Sequence, residues 1–187
     1  GQGTLVIDED IDMYNPLVVR EGTTVISEAT VKNYNKLSNG VSNLSVGGNN
    51  AHLKLDGATY KQDLDYNQNY VSAIAIGNTD GAGKVTLENG SLLHTDQFIF
   101  AGYKSITNGY VTSSSVSPSD SSQYSGGVEG RSEINILSGS TLSAGTCLQF
   151  ANVDVNISGE GSRMVDLNRD SGKAPADWSY LGTAADS

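Results

Sequence analysis

The side chains best able to do chemistry in this chain are its carboxylates, which outnumber the basic groups 21 to 11. The densest acidic run, residues 8–12, reads Asp-Glu-Asp-Ile-Asp and offers the hard oxygen ligands that Ca²⁺ takes. It lacks the glycine at the sixth position and the closing glutamate of an EF-hand loop, so a solvated turn is the favoured interpretation. The pairs Asp63/Asp65 and Asp166/Asp170 are interpreted in the same way.

Histidine chemistry is limited to His52 and His94, the two histidines of the chain. Neither has a second histidine or a cysteine at the spacing of a zinc site, so both are predicted to be surface or corner residues. The segment His-Thr-Asp at 94–96 suggests an imidazole oriented by a carboxylate, but the sequence identifies no nucleophile beside it. The single cysteine, Cys147, is predicted to be a small core residue. We therefore predict no catalytic residue, no metal and no cofactor.

The composition favours many short strands joined by tight turns. The chain has 187 residues, 22 glycines and 3 prolines, and its apolar share of 37% is carried mainly by β-branched residues and leucine. A single domain spanning 1–187 is the natural expectation for this length. No apolar stretch is long enough to span a membrane, and a net charge of −10 disfavours nucleic acid and anionic membranes as partners.

Two short patterns recur along the chain and predict its architecture. The first is apolar-x-apolar followed by two corner residues drawn from glycine, alanine and asparagine. It begins at Leu44, Ile74, Phe98 and Leu148. The second is apolar-x-apolar, a corner, a glycine and a further apolar residue. It begins at Leu17, Leu53, Val85, Ile134 and Val155. Alternation sends two side chains inward per strand, while glycine or asparagine permits the positive φ of a corner.

The spacing of the first pattern predicts that similar coils stack on one another. Ile74 and Phe98 lie 24 residues apart, and loops that leave the stack explain the longer intervals on either side. Such repeats indicate an all-β fold, a single-stranded parallel β-helix (β-solenoid) with irregular loops. The clearest coils span 44–165, the tail 166–187 is expected to be irregular, and the register within 1–43 is left unassigned.

Two polar segments, 61–71 and 103–131, interrupt the repeats and are predicted to be loops on one side of the stack. Tyrosines interleaved with amides and hydroxyls suit the surfaces of carbohydrates and proteins. If these loops carry recognition, the candidate binding residues are Tyr66, Tyr70, Tyr103, Tyr110 and Tyr124. The alternative is that both segments are tolerated insertions without a partner.

The glycine-punctuated coils between 44 and 165, with phrases such as Ala-Ile-Gly-Asn at 75–78 and Asn-Gly-Ser-Leu at 89–92, resemble the passenger regions of autotransporters and related bacterial surface adhesins. The resemblance implies a right-handed parallel β-helix that is exported and then secreted or displayed at the outer membrane. It transfers no functional residue, because such proteins share no common catalytic motif.

Three functions are compatible with this architecture. The first, which we expect, is a non-catalytic secreted or cell-surface adhesin or display scaffold that binds a glycan or a host or bacterial surface protein through its loops. The second is a polysaccharide lyase or glycoside hydrolase of the β-helix class, which needs acidic residues that converge in a groove. Arg131, Arg163 and Arg169 lie near acidic residues in sequence, but nothing specifies their geometry. The third is a structural module that self-associates through its exposed end coils.

Overall fold

The computed structural model describes residues 2–34, 44–62, 73–103, 125–126, 130–167 and 180–181. These residues form 18 β-strands and no helix. Alternating apolar and polar side chains explain most of the strands, because one face is buried while the other is left partly exposed. The all-β class predicted from the sequence is confirmed.

The strands assemble into three parallel sheets of six strands each, and every third strand along the chain belongs to the same sheet. Sheet I contains β1 (Thr4–Ile7), β4 (Thr23–Ser27), β7 (His52–Asp56), β10 (Lys84–Glu88), β13 (Ser132–Leu137) and β16 (Val153–Ser158). Sheet II contains β2 (Ile11–Met13), β5 (Thr30–Asn33), β8 (Thr59–Gln62), β11 (Leu92–Thr95), β14 (Thr141–Ala144) and β17 (Arg163–Asp166). Sheet III contains β3 (Leu17–Val19), β6 (Leu44–Val46), β9 (Ala73–Ile76), β12 (Phe98–Ala101), β15 (Cys147–Phe150) and β18 (Tyr180–Leu181). Three consecutive strands, one from each sheet, make up what we call a coil.

Equivalent strands of successive coils pair in parallel and in register. Val85 of β10, for example, pairs with Leu53 of β7 on one side and with Ile134 of β13 on the other. Inner side chains of all three sheets form one apolar cluster, in which residues such as Leu87 and Leu93 are fully buried. The parallel stacking predicted from the repeats is confirmed. The first pattern is wrong by one residue at Phe98, because Ile99 pairs with Ile74 and Leu148 and belongs to the inner cluster.

The coils begin earlier in the chain than the repeats indicated. Residues 4–33 supply β1 to β5, in the same register as the later coils. The second pattern is wrong for Leu17 and Val19, because these residues form β3 of sheet III and pair with β6. The pattern had predicted that they occupy sheet I, at the positions of the apolar residues of β7 and β10. This error arose because Gly22, in the corner after β3, matches the glycine that the pattern requires.

The second pattern did not detect the coil that contains β4 and β5, because the corner between these two strands has no glycine. From the second coil onward, the corners between sheets I and II contain a residue at positive φ, such as Gly57 at 60° or Asn89 at 56°. In the earlier coil Glu28 takes this conformation at φ 51°. Its backbone N–H donates to the Asp56 carbonyl of the next coil at 2.9 Å, which helps to hold a conformation that glutamate rarely adopts.

Only four residues of the predicted irregular tail, 166–167 and 180–181, are described. The strand Tyr180–Leu181 pairs with Gln149 and Phe150 of β15. The first two residues of the loop predicted at 61–71 instead extend β8. The rest of that loop, and most of the loop predicted at 103–131, lies outside the described residues.

Three successive positions in one column of inner side chains in sheet II are polar. Asn33, Gln62 and Thr95 occupy equivalent positions in successive coils and are fully buried. The Asn33 amide donates to the Tyr60 hydroxyl at 3.1 Å and to the Asn15 carbonyl at 3.2 Å. No described group forms a hydrogen bond with either amide atom of the buried Gln62 side chain. Since an unsatisfied buried amide is costly, Gln62 is a weak point of the core.

Candidate functional site

A serine, a histidine and an aspartate form a hydrogen-bonded chain on the outer face of sheet II. The pairing of β11 with β14 sets His94 opposite Ser143, and Asp96 follows at the corner after β11. The Nδ1 of His94 lies 3.1 Å from the Ser143 Oγ, and its Nε2 lies 3.1 Å from the Asp96 Oδ1. When Nε2 carries the proton and donates to the Asp96 carboxylate, Nδ1 accepts the hydrogen bond of the Ser143 hydroxyl.

These residue types are the components of a nucleophilic serine site, in which an oriented imidazole takes the serine proton. Sequence reasoning missed the serine, because 49 residues separate it from His94. The second repeat pattern contains the signal that finds it. Aligning residues 85–93 with 134–142 places His94 and Ser143 at the same position in successive coils.

The surroundings of Ser143 favour a structural role for this hydrogen-bonded chain. Ser143 is 7% exposed and His94 is 8% exposed, so neither side chain is open to a substrate. An acyl-transfer site also needs N–H groups aimed at the developing oxyanion. The N–H groups of Gly145 and Thr146, two and three residues after Ser143, already donate to carbonyls of the preceding coil at 2.8 and 2.9 Å. We therefore interpret the hydrogen bonds among these three residues as a structural contact that links two neighbouring coils.

An open groove of about 450 Å³ lies elsewhere, where the corners between sheets III and I meet the outer face of sheet I. Part of its lining is backbone that packs closely between coils. A Cβ added at Gly48 would lie 2.1 Å from the Arg20 carbonyl oxygen, and one added at Gly83 would lie 2.0 Å from that of Val46. Only glycine allows successive corners to approach this closely.

Charged side chains from successive coils line one wall of the groove. The Lys84 Nζ lies 3.0 Å from the Glu133 Oε2 of the next coil. Arg131, at the corner before β13, places its Nη1 3.2 Å from the Asp154 Oδ1 of the coil beyond. Lys84, Glu133 and Asp154 occupy paired positions on neighbouring strands. The backbone hydrogen bonds between these strands therefore fix the positions of their Cα atoms. The register of the strands therefore sets the order in which hydrogen-bond donors and acceptors follow one another along this wall.

The contacts of the groove determine its protonation states. Burial first, and then the neighbouring Lys84 ammonium, lower the pKa of His52 below its usual 6.5. The imidazole Nε2 of His52 lies 3.0 Å from the Thr86 Oγ1. A hydrogen bond from the Asn135 amide at 2.7 Å, followed by one from Lys84, lowers the pKa of Glu133 below its usual 4.5. At neutral pH the groove therefore holds a neutral imidazole beside an ammonium–carboxylate pair.

Two further carboxylates lie side by side on sheet I. Asp56 and Glu88 pair between neighbouring coils, and the Lys54 Nζ lies 3.5 Å from one and 2.5 Å from the other. The Asn89 amide donates to the Asp56 Oδ1 at 2.7 Å and is the largest cause of the lowered pKa of Asp56. A glycosidase needs one carboxyl with a raised pKa as its general acid. The pKa of Asp56 is shifted in the opposite direction.

The acidic run at 8–12 has a structural contact. The Asp10 Oδ1 accepts the Thr30 N–H at 2.7 Å, which joins the first corner to the next coil. Residues 63–65 and 170, which prompted the same question about Ca²⁺, lie outside the described residues. Across the described ranges, no three His, Cys, Asp or Glu side chains are close enough to hold a metal ion.

Tyr103 is the predicted binding residue that the structure describes. It is 1% exposed and belongs to a small apolar cluster with Phe100, Ala73 and Ala75, on the outer side of sheet III. A ring buried to this extent presents no open face to a ligand. The other predicted binding residues lie outside the described residues: Tyr66, Tyr70, Tyr110 and Tyr124. Cys147, predicted to be a core residue, is fully buried.

No protein-family model matches this chain, and no match was found among curated proteins or among solved structures. In the part of the chain that the structure describes, no helix has the length and apolarity needed to cross a lipid bilayer. The function must therefore be inferred from the residues and their geometry.

Proposed function

We propose that this chain is a non-catalytic adhesin or display scaffold, a right-handed parallel β-helix that is secreted or carried on a bacterial surface. Its groove on sheet I, formed around His52, Lys84, Arg131 and Glu133, binds a glycan. The observation that carries the proposal is this groove, in which charged and polar groups stand at fixed strand positions beside closely packed backbone. The three sheets that share one core, with positive-φ corners between them, support the closed helix.

The chemistry of the groove favours a neutral glycan. Sugar hydroxyls donate and accept hydrogen bonds, and those made with ammonium and carboxylate groups are the stronger kind. Neighbouring coils are spaced by about 4.8 Å, so a chain of sugars meets a new set of polar groups at each coil. The net charge of −10 repels polyanionic glycans at long range.

A glycan array combined with matched charge variants tests this function. Lys84→Ala removes the ammonium that contacts Glu133, and Lys32→Ala removes an exposed ammonium from sheet II as the control. Loss of a charge-assisted hydrogen bond is expected to weaken glycan binding by roughly tenfold or more in Lys84→Ala. Lys32→Ala is expected to bind as the native chain does. Equal affinities of the two variants, or binding to no glycan, would contradict the proposal.

A deletion separates the groove from the predicted loops. Removing residues 104–124 takes away most of the second predicted loop, together with Tyr110 and Tyr124. Retained binding after this deletion assigns the glycan to the groove of sheet I. Lost binding in a variant that keeps its thermal midpoint assigns recognition to the loop.

The residue types of the chain Ser143, His94 and Asp96 match those of an acyl hydrolase, which is the second candidate to test. A fluorophosphonate probe reacts with serines that an imidazole has activated. Because both Ser143 and His94 are almost fully buried, we expect no labelling. Labelling of Ser143 that disappears in His94→Ala would replace the binding scaffold with an enzyme.

A further inference from the structure

The groove on sheet I runs along the axis of the stack. What we call its floor consists of residues in one outer row of sheet I, which pair from strand to strand: Thr23, His52, Lys84 and Glu133. The floor therefore crosses four coils in three steps of about 4.8 Å, which makes it about 14 Å long. The volume of the groove, about 450 Å³, lies within the usual range for ligand sites, about 300–1,000 Å³.

The same backbone hydrogen bond recurs at each step of the floor. The N–H of a floor residue donates to a carbonyl in the corner of the preceding coil, and each of these bonds is 2.9 Å long. They run from His52 to Gly22, from Lys84 to Ala51 and from Glu133 to Gly83. The corners are also joined to one another, since the Gly48 N–H donates to the Ala82 carbonyl at 3.0 Å. The groove is thus formed before a ligand arrives, so binding costs little ordering of the backbone.

The charged ends of the floor side chains stay accessible to a ligand. The side chain of Lys84 is 41% exposed and that of Glu133 is 43% exposed, although the two are paired with each other. An ammonium has three donors and a carboxylate accepts several hydrogen bonds, so their mutual contact leaves capacity on both groups. Sugar hydroxyls, which both donate and accept, can use this capacity without breaking the pair.

The geometry points to a straight, β-linked glycan of the cellulose or chitin type, lying along the stack with one sugar at each coil, and this proposal rests on the glycan-binding function proposed above. Equatorial bonds between the sugars keep such a chain extended. Each sugar advances the chain by nearly the distance between neighbouring strands. Successive sugars therefore meet successive floor residues, from Thr23 at one end to Glu133 at the other.

Other linear ligands do not keep step with the floor. An extended peptide presents the same face at every second residue, about 6.6 Å, which is out of step with the coil spacing of about 4.8 Å. An α-linked glycan of the starch type coils, so its successive sugars turn away from a straight floor. Polyanionic chains are repelled at long range by the net charge of −10.

Isothermal titration calorimetry of the 187-residue chain with oligosaccharides of increasing length tests the proposal. The probes are cello-oligosaccharides and chito-oligosaccharides of two to six sugars, with malto-oligosaccharides of the same lengths as the α-linked control. In the cello or the chito series, we expect the affinity to rise roughly fivefold with each added sugar up to four sugars and then to level off, because each floor residue adds one net hydrogen bond. The malto series should bind weakly at every length.

The outcomes separate the class of the ligand from the proposed function. An affinity independent of length, a rise that continues to six sugars, or an equal rise in the malto series would overturn the proposal of a straight β-linked ligand. Binding to another glycan on the array would then still support the proposed function. Binding to no glycan at all would refute both.

A matched pair of glutamate variants locates the end of the floor. In Glu133→Ala the ratio of tetrasaccharide to trisaccharide affinity should fall from roughly fivefold to about one, because the fourth sugar has lost its partner. Glu160→Ala removes an exposed carboxylate from the corner between β16 and β17 and should keep the native ratio. Thermal midpoints by circular dichroism verify that both variants fold. An unchanged ratio in Glu133→Ala, or the same fall in both variants, would contradict the proposal.

A tetrasaccharide with a photoreactive group at its reducing end tests the orientation of the glycan. We expect the group to label residues at one end of the groove, beside Thr23 or beside Arg131, as read by mass spectrometry of the digested chain. A glycan lying across the stack, along the strands, would instead carry the group toward Lys54 or Asp56, further along β7. Labelling there would overturn the proposed orientation.

Discussion

The stacking of inner side chains predicts that the same truncation costs different amounts in a middle coil and in the last coil. Leu87 is fully buried between Leu55 and Ile136 of the adjacent coils. Leu87→Ala should lower the free energy of unfolding by about 3 kcal/mol, the sum of lost transfer energy and the cavity that remains. Ile157 stands in the same row of the last coil, is 45% exposed and, among the described residues, pairs only with Ile136. Because much of its surface already meets water, Ile157→Ala should cost about 1 kcal/mol.

Urea unfolding followed by circular dichroism measures both costs, at a concentration where sedimentation shows a monomer. Each substitution removes three carbon atoms. The difference between the two losses of unfolding free energy therefore reports whether neighbouring coils cover the side chain on both sides or on one. The slope of unfolding free energy against urea should stay unchanged, since the surface exposed on unfolding is nearly the same. Equal costs, or a larger cost for Ile157→Ala, would refute the reasoning that the inner rows run along the stack.

Three further predictions concern single positions. The lowered pKa of His52 means that the unfolded chain binds the proton first as the pH falls, so the stabilisation from neutral His52 is present above about pH 6.5 and is lost below it. The free energy of unfolding of His52→Gln should therefore fall less than that of the native chain between about pH 7.5 and pH 5.5. Gln62→Leu should raise the free energy of unfolding by about 1 kcal/mol, because it removes two buried amide atoms that no described group satisfies; a loss of stability would contradict this. Gly48→Ala, at φ 141° and with its Cβ 2.1 Å from a carbonyl oxygen, should cost about 2 kcal/mol or more in urea unfolding. Gly90→Ala, at φ 75° in open space, is the control and should cost about 1 kcal/mol.

The parts of the fold that sequence reasoning predicted are those in which local chemistry and stacking agree. Val85, Leu87 and Leu93 repeat as Ile134, Ile136 and Leu142, with a glycine at each corner, and both sets occupy the same rows. The pattern failed where the corner chemistry differs. At Glu28, a contact with the next coil maintains a conformation that the residue type does not suggest.

The candidate site was less predictable, because its residues come together only through the register. Lys84 and Glu133 lie 49 positions apart, with the loop predicted at 103–131 between them, and face each other only when β10 and β13 pair. The same holds for His94 and Ser143. Of the five tyrosines proposed from composition, the structure describes Tyr103, which is buried.

Cross-coil disulfide formation tests the central claim, the in-register parallel stacking of coils, most directly. Thr86 and Asn135 are partners on the outer face of sheet I, although the loop predicted at 103–131 separates them in sequence. Neighbouring parallel strands are spaced by about 4.8 Å, within the range of Cα separations that a disulfide bridges. The offset pair Thr86/Glu133 lies on the same face, but two residues out of register. We predict that Thr86→Cys with Asn135→Cys oxidises fully under mild conditions, while Thr86→Cys with Glu133→Cys stays largely reduced, as read by mass spectrometry. Equal oxidation of both pairs, or preferential oxidation of the offset pair, would contradict the account.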